Sequence, residues 1–209
     1  MSDRFCSLLI ATRNSGKIVE LAQMLKGSPV RLLELGDFPA MAEVQESGPT
    51  YRANAVLKAR VYARHAGILA ISDDSGLEVQ ALGGRPGVLS ARYGGGEMAF
   101  PDKMDKLLAE ILASEESGRR ARFVCCIAVA DPDGEVVAYG RGTCNGQIAL
   151  TPRGDIGFGY DPIFIPDGYA ETFGELDSGV KSAISHRARA LSQIIPSLRH
   201  FIENQLDLG

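Results

Sequence analysis

Cys6-Ser-Leu-Leu-Ile-Ala-Thr-Arg-Asn-Ser-Gly-Lys17 passes from a continuous apolar run straight into polar residues and a glycine. An apolar run this short, ended this abruptly, predicts a buried strand. From Gly16 the spacing changes: Ile18, Leu21, Ala22 and Leu25 recur at helical intervals, predicting a helix over 16–26. A buried strand that turns directly into a helix is the opening unit of an α/β layer architecture.

Working outward, residues 30–35 read as a second strand and 68–72 as a third. Between them, Thr50 is placed to cap a helix through Ala53, Val56, Leu57 and Ala63 that Gly67 would end. Gly83-Gly-Arg-Pro-Gly87 and Gly94-Gly-Gly96 mark a long irregular surface loop. A helix over 98–112 would carry Pro101 in or before its first turn. Asp131-Pro-Asp-Gly134 is a strong turn signal between 122–130 and 135–142, which reads as a hairpin. Antiparallel pairing there makes the sheet mixed. Residues 154–168 read as loop and 185–195 as helix, with Pro196 expected to kink or restart the helix before 198–206. Without repeats or linkers, residues 1–209 are expected to form a single α/β domain, with two lobes around a cleft left open.

A net charge of −4 gives no general pull toward nucleic acid polymers or anionic membranes, so an anionic ligand must be held by local basic groups. That favours a small-molecule pocket. Cys6, Cys125, Cys126 and Cys144 make no CxxC or Cys/His ligand pattern. Three of the four lie in apolar stretches and read as small core residues, in keeping with a reducing cytoplasm. The apolar run at 6–11 is too short for a signal segment or a membrane span.

Four polar segments stand where strands end or helices begin. Thr12-Arg-Asn-Ser-Gly-Lys17 could present a helix start, hydroxyl and amide donors and one cation to a phosphate. It is not a Walker A loop, and simple capping by Asn14 or Ser15 is the competing reading. Ser72-Asp-Asp-Ser-Gly76 sets two carboxylates side by side, which repel and favour a cation. Oxygen ligands suit Mg2+; since neighbouring side chains on a strand face opposite ways, one aspartate would bind metal and the other act from behind it. An Asx-type turn is the alternative. Asn54 and Lys58 share a helix face, with Glu46 ahead of them as a further oxygen ligand; Lys58 could equally be a solvated lysine. Gly157-Phe-Gly-Tyr-Asp161 and Lys181-Ser-Ala-Ile-Ser-His-Arg187 offer aromatic faces and clustered donors suited to a base, or a core plug and a surface cluster.

Taken in order, these segments, with Gly83-Gly-Arg-Pro-Gly-Val-Leu-Ser-Ala-Arg-Tyr93, resemble the inosine triphosphate pyrophosphatase (Ham1-like) family over nearly the whole chain. The resemblance implies an elongated mixed sheet with flanking helices, two lobes around a central substrate cleft, and a homodimer. It implies hydrolysis of ITP, dITP and XTP to the monophosphate and pyrophosphate with Mg2+, or Mn2+ as a substitute. Asp74 and Lys58 would be catalytic; Glu46 and Asp74 would hold the metal, with Asp73 behind them. Substrate would be bound by Thr12, Arg13, Asn14, Ser15, Gly16, Lys17, Ser75, Phe158, Gly159, Tyr160, Asp161, Lys181, His186 and Arg187. Gln45 departs from the acid often found beside Glu46 in bacterial relatives.

On that reading, donors around Arg187 and His186 would donate to the C6 oxygen of hypoxanthine or xanthine and oppose the amino group of adenine. Two buried mismatches, at about 1–3 kcal/mol each, could give discrimination of roughly 100-fold or more. The competing functions are a Maf-like pyrophosphatase for modified nucleotides and a nucleotide sensor without catalysis.

Overall fold

The opening apolar run forms β1 (Cys6–Ile10), and the helical spacing after it forms α1 (Ser15–Met24). The computed structural model describes residues 5–116 and 118–207. β1 pairs in parallel with β2 (Val30–Glu34), from Cys6↔Val30 to Ile10↔Glu34. On its other side it pairs in parallel with β3 (Leu69–Val79), from Leu8↔Leu69 to Ile10↔Ile71. Between β2 and β3 runs α2 (Tyr51–Ala66), started by Thr50, whose Oγ1 accepts the Ala53 N–H at 3.1 Å, and ended by Gly67 at φ 66°. A left-handed residue at a helix end suits glycine, which has no Cβ to clash.

β3 does not stop at residue 72 as the sequence pattern predicted. It continues through both aspartates to Val79, with Leu77 and Val79 wholly buried. The strand survives its acidic centre because Lys17, Lys58 and Asn54 meet the carboxylates and backbone there. β4 (Arg120–Ala130) and β5 (Val136–Ile148) flank the predicted turn, in which Asp131 Oδ1 accepts the Glu135 N–H at 2.8 Å. Inside the supposed loop 154–168 lies β6 (Phe164–Pro166), antiparallel to the end of β5 from Gly146↔Pro166 to Ile148↔Phe164. The strand order is β2-β1-β3-β4-β5-β6, a mixed sheet as expected.

α3 (Phe100–Ala113) carries Pro101 in its first turn, where no N–H is needed. α4 (Ser178–Ile184) is a short helix that the sequence pattern did not reveal; Asp177 caps it by accepting the Gly179 N–H at 2.7 Å. α5 (His186–Asp207) runs on through Pro196 rather than restarting after it. The proline removes one backbone hydrogen bond, but Ala190, Leu191, Ile194, Leu198 and Ile202 form one buried stripe across it. Among the described residues, no helix is long and apolar enough to cross a membrane.

The chain divides into two units. Unit 1 takes the chain up to Asp74, Cys126–Arg141 and the chain from Arg189; unit 2 takes Ser75–Cys125 and Gly142–Ala188. Unit 1 is a layer in which α5 packs on one face of β5: a Cβ added to Gly140 would meet the Ala190 carbonyl at 2.3 Å. α2 covers the other face, with the Arg52 guanidinium 4.7 Å above the Tyr139 ring. Unit 2 has its own core, centred on Phe123, Phe164 and Phe173, with ring centroids 4.6 Å apart for the first pair and 5.5 Å for Phe164 and Phe173. The glycine-rich stretch after β3 is not all surface: Ser90 and Tyr93 are buried, and Ser90 Oγ accepts the Leu77 N–H at 2.8 Å. All four cysteines are free thiols, and Cys125, Cys126 and Cys144 are core residues.

Candidate active site

In unit 1 the polar segments of α1, α2 and the loop before α2 meet at the centre of β3. Asp73 and Asp74 are 0% and 4% exposed. Alternation along the strand turns neighbouring carboxylates to opposite faces, and each has its own partners. Lys17, from the first turn of α1, reaches Asp73 Oδ2 at 3.1 Å. Asn54, from α2, donates from Nδ2 to Asp74 Oδ2 at 2.9 Å and accepts the Gly48 N–H on Oδ1 at 2.8 Å. One turn further along α2, Lys58 donates to the Asp73 carbonyl at 2.7 Å and to Glu46 Oε1. Asn54 and Lys58 thus work from one helix face, as their spacing predicted, and Lys58 is a buried lysine rather than a solvated one.

Burial raises the pKa of Asp74, against the pull of Lys58 and Lys17, and Glu46 adds to the rise. Burial works against the Lys58 ammonium, but Asp73, then Glu46 and Asp74, outweigh it and hold that pKa above the ordinary lysine value. Lys58 is therefore a fixed cation and Asp74 the group beside it more easily protonated than an ordinary aspartate.

The loop that opens α1 is partly spent on its own structure. Asn14 Oδ1 accepts the Lys17 N–H at 3.1 Å as the helix cap, and Thr12 Oγ1 accepts the Asn14 N–H at 3.3 Å. Arg13 is exposed and donates to the Met41 carbonyl at 3.1 Å, while Ser15 is exposed at the helix start beside Gly16. The capping reading therefore describes the Asn14 side chain, which takes the Lys17 N–H and leaves those of Ser15 and Gly16 at the start of α1 for an anion.

Unit 2 gathers the second set. Asp161 Oδ2 accepts the Lys181 ammonium at 2.5 Å and the Phe158 N–H at 2.7 Å. The Lys181 Nζ lies 4.6 Å from the Phe158 ring centroid, and the Arg187 guanidinium 5.7 Å from the same ring. Arg187, only 1% exposed, also donates to Ser75 Oγ at 3.1 Å. Gly157 at φ 83° allows this turn, since a Cβ there would lie 2.2 Å from Asp161 Oδ2. Gly159 follows at φ 66°. The Tyr160 side chain belongs to the core: it is 3% exposed, packs edge-on against Phe100 and donates to the Ser90 carbonyl at 3.0 Å. The His186 ring stacks on Phe123 at 4.7 Å. These partners make the Tyr160 ring the core plug that the sequence left open, and set the His186 ring against Phe123 in the same unit.

Sequence reasoning assigned no role to Gly48 or to Asn54 as the anchor of Asp74. Asn54 was detectable as a polar residue on the Lys58 face, whereas nothing in the spacing connects Gly48 to it.

The oxygen donors in unit 1 are Glu46, Asp73 and Asp74, and no cluster of three or more potential protein metal ligands occurs among the described residues. Such a set suits a hard cation that takes one or two carboxylates and fills its remaining positions from phosphates and water.

Residues 8–197 match the Ham1 family model. A dITP/XTP pyrophosphatase of Rhodospirillum centenum is 46% identical over 195 residues, covering 90% of this chain and 93% of its own. Another, from Desulforamulus reducens, is 42% identical over 198 residues, covering 95% and 98%. Among solved structures, a HAM1 protein from Coxiella burnetii is 35% identical and superposes with a TM-score of 0.83, over 96% of this chain and 100% of the other. With the family model spanning most of its length and relatives above 40% identity over nine-tenths of it, the chain belongs to the Ham1 family.

Proposed function

We propose that the chain hydrolyses non-standard purine nucleoside triphosphates (ITP, dITP and XTP) to the monophosphate and pyrophosphate, clearing them from the nucleotide pool. The observation that carries this reading is the meeting of Lys17, Lys58 and Asn54 on Asp73 and Asp74, with Glu46 paired to Lys58. Relatives named dITP/XTP pyrophosphatases support it.

In the reaction, water attacks the α-phosphorus and the bond from that phosphorus to the bridging oxygen breaks, so pyrophosphate leaves. Asp74 accepts the proton that the water loses and passes it to solvent. Lys17 and Lys58 face the charge that develops on the leaving group, where fixed cations in a buried setting act most strongly. Asn54 keeps Asp74 in place, and the N–H groups at the start of α1, with Thr12, Arg13 and Ser15, take phosphate oxygens. Glu46 and Asp74 would hold a divalent cation, Mg2+ or Mn2+, with Asp73 behind them. The cation, when bound, supplies charge neutralisation on the phosphate oxygens.

Unit 2 reads the nucleoside. Phe158 gives a flat face, while Arg187, Lys181 and backbone N–H groups around Gly159 donate to acceptor oxygens on the base. Ser75 contacts the substrate through its hydroxyl. Both units serve one functional domain spanning residues 1–209, and the enzyme works as a homodimer in the cytoplasm. The relatives' names favour this reading over a Maf-like pyrophosphatase, and the buried lysine–carboxylate cluster favours an enzyme over a sensor.

The test is a panel of ITP, dITP, XTP, GTP, ATP and methylated pyrimidine triphosphates with Mg2+, with the products identified. Monophosphate and pyrophosphate from the inosine and xanthosine substrates, at rates at least tenfold above ATP, is the expected result. Orthophosphate as product, or a preference for methylated pyrimidines, would overturn the proposal.

A further inference from the structure

On the α2 side of unit 1 lies a basic pair that the reaction above leaves unused. Arg52 stands in the first turn of α2, exposed, with its guanidinium 4.7 Å over the Tyr139 ring. Tyr139 is fixed in turn by a contact of 3.1 Å between its hydroxyl and Cys126 Sγ. Arg141 is two residues further along β5, which places it on the same face as Tyr139, and it is exposed. No carboxylate pairs with either guanidinium among the described residues. The chain as a whole is acidic, and several of its other surface arginines do have such a partner, as Arg120 and Arg122 do.

The start of a helix carries a partial positive charge and unpaired N–H groups, so an arginine there is an unfavourable neighbour unless an anion is present. The first turn of α2 contains no acidic residue to offset it. Both guanidiniums bear on the Tyr139 hydroxyl; burial pushes that phenol up to about 12, so it stays a neutral donor at ordinary pH. The planar fork of arginine matches the oxygens of phosphate two at a time. β5 lies three strands from β1, about 14 Å at ordinary strand spacing, so this pair is separate from the Lys17 grip at the end of β1.

We propose that Arg52 and Arg141, framing Tyr139, form a second anion site that takes a phosphate-class oxyanion, either free pyrophosphate or phosphate, or the phosphates of another nucleotide. The site is independent of the catalytic reading.

The experiment follows the Nε–Hε nuclear magnetic resonance signals of Arg52 and Arg141 in the full chain, without divalent metal, during titration with inorganic pyrophosphate. Parallel titrations use inorganic phosphate, inosine monophosphate and a hexaglutamate peptide. Both signals are expected to shift saturably with pyrophosphate, and to do so equally in a Lys17→Gln variant. The Arg52→Gln/Arg141→Gln double variant should bind pyrophosphate at this site at least tenfold more weakly in the Lys17→Gln background. With Lys17 intact, the same double substitution should leave the melting temperature and kcat for ITP unchanged. Stronger shifts with inosine monophosphate than with inorganic phosphate would assign the site to nucleotides, and the reverse to the free ions. Signals that stay still with every phosphate, that move only when Lys17 is intact, or that respond to hexaglutamate alone would overturn the proposal.

Discussion

Asn54 and Asp74 are joined through a relay in which one amide side chain satisfies both a loop and a carboxylate. Its Nδ2 donates to Asp74 Oδ2 at 2.9 Å while its Oδ1 takes the Gly48 N–H at 2.8 Å. The loop bearing Glu46 and the centre of β3 are thereby tied to the same residue. Replacing Asn54 with Ala leaves a half-buried N–H and a buried carboxylate oxygen short of a partner, the latter at about 1–3 kcal/mol. We expect Asn54→Ala to lower both the urea midpoint and kcat for ITP, and Asn54→Asp to lower kcat further by adding a like charge beside Asp74. Wild-type kcat in Asn54→Ala would remove this residue from the account.

Gly48 gives the same relay a second handle. A Cβ there would lie 2.6 Å from Asn54 Oδ1 and 2.8 Å from the Ala53 Cβ, closer than such atoms approach. Gly48→Ala should therefore reproduce the kinetic defect of Asn54→Ala without touching any charged group. Steady-state kinetics of both single variants and the double variant check this: the two losses should not add.

Asp74→Asn keeps the shape of the side chain and removes its capacity to accept a proton. Loss of a positioned general base costs about 10²–10⁴-fold in rate. We expect kcat to fall by at least that much while the melting temperature stays near the wild-type value or rises, because burial disfavours the charged form of this carboxyl. Turnover within tenfold of wild type would exclude Asp74 from proton transfer.

Substrate choice is read through unit 2. Gly157→Ala forces a Cβ to within 2.2 Å of Asp161 Oδ2 and asks a residue with a side chain to adopt φ 83°, at about 1–2 kcal/mol before the clash is counted. The Asp161–Lys181 pair must then shift. Arg187→Met keeps bulk in a buried position while removing the donors. Both variants should narrow the ratio of kcat/KM for ITP over ATP by at least about tenfold, one lost hydrogen bond's worth of discrimination. An unchanged ratio in Arg187→Met would refute the donor account of base selection.

Stability against acid has an identifiable contributor in unit 2. The Tyr93 hydroxyl donates to Glu110 at 2.6 Å, and Lys106 and Arg85 pair with the same carboxylate. The Tyr93 bond first, and then Lys106, hold the Glu110 pKa below its ordinary value. A carboxyl with a depressed folded pKa stabilises the protein above its unfolded pKa of about 4.3, and that contribution is lost as pH falls through the folded value. Glu110→Gln should therefore be less stable than wild type near neutral pH, with the difference shrinking below about pH 4. Urea midpoints across the range measure it, and a difference that stays constant with pH would assign the effect to shape rather than charge.

Much of this architecture was legible in the residue order because it rests on local rules. Thr50 and Gly67 bound α2 through a side-chain cap and a left-handed glycine, and Asp131 to Gly134 turns the hairpin; each acts within a few residues of itself. What escaped detection depends on distant partners. β3 runs through two acids only because lysines from α1 and α2 reach them. β6 is three residues long and exists through pairing with β5, and α5 crosses Pro196 on the strength of a buried stripe. At the candidate site, the residue types, their order and the capping role of Asn14 were readable, whereas the choice of a core position for the Tyr160 ring and the stacking of His186 on Phe123 were decided by packing.

α2 delivers Asn54 and Lys58 from a single rod, one turn apart, onto two consecutive positions of β3. A one-residue insertion or deletion in its first turn would rotate both side chains by about 100° and strand them together. The angular phase of this helix is therefore a property on which selection can act, separately from the identity of either residue. Variation in loop length ahead of Thr50 should be tolerated only where that phase is kept.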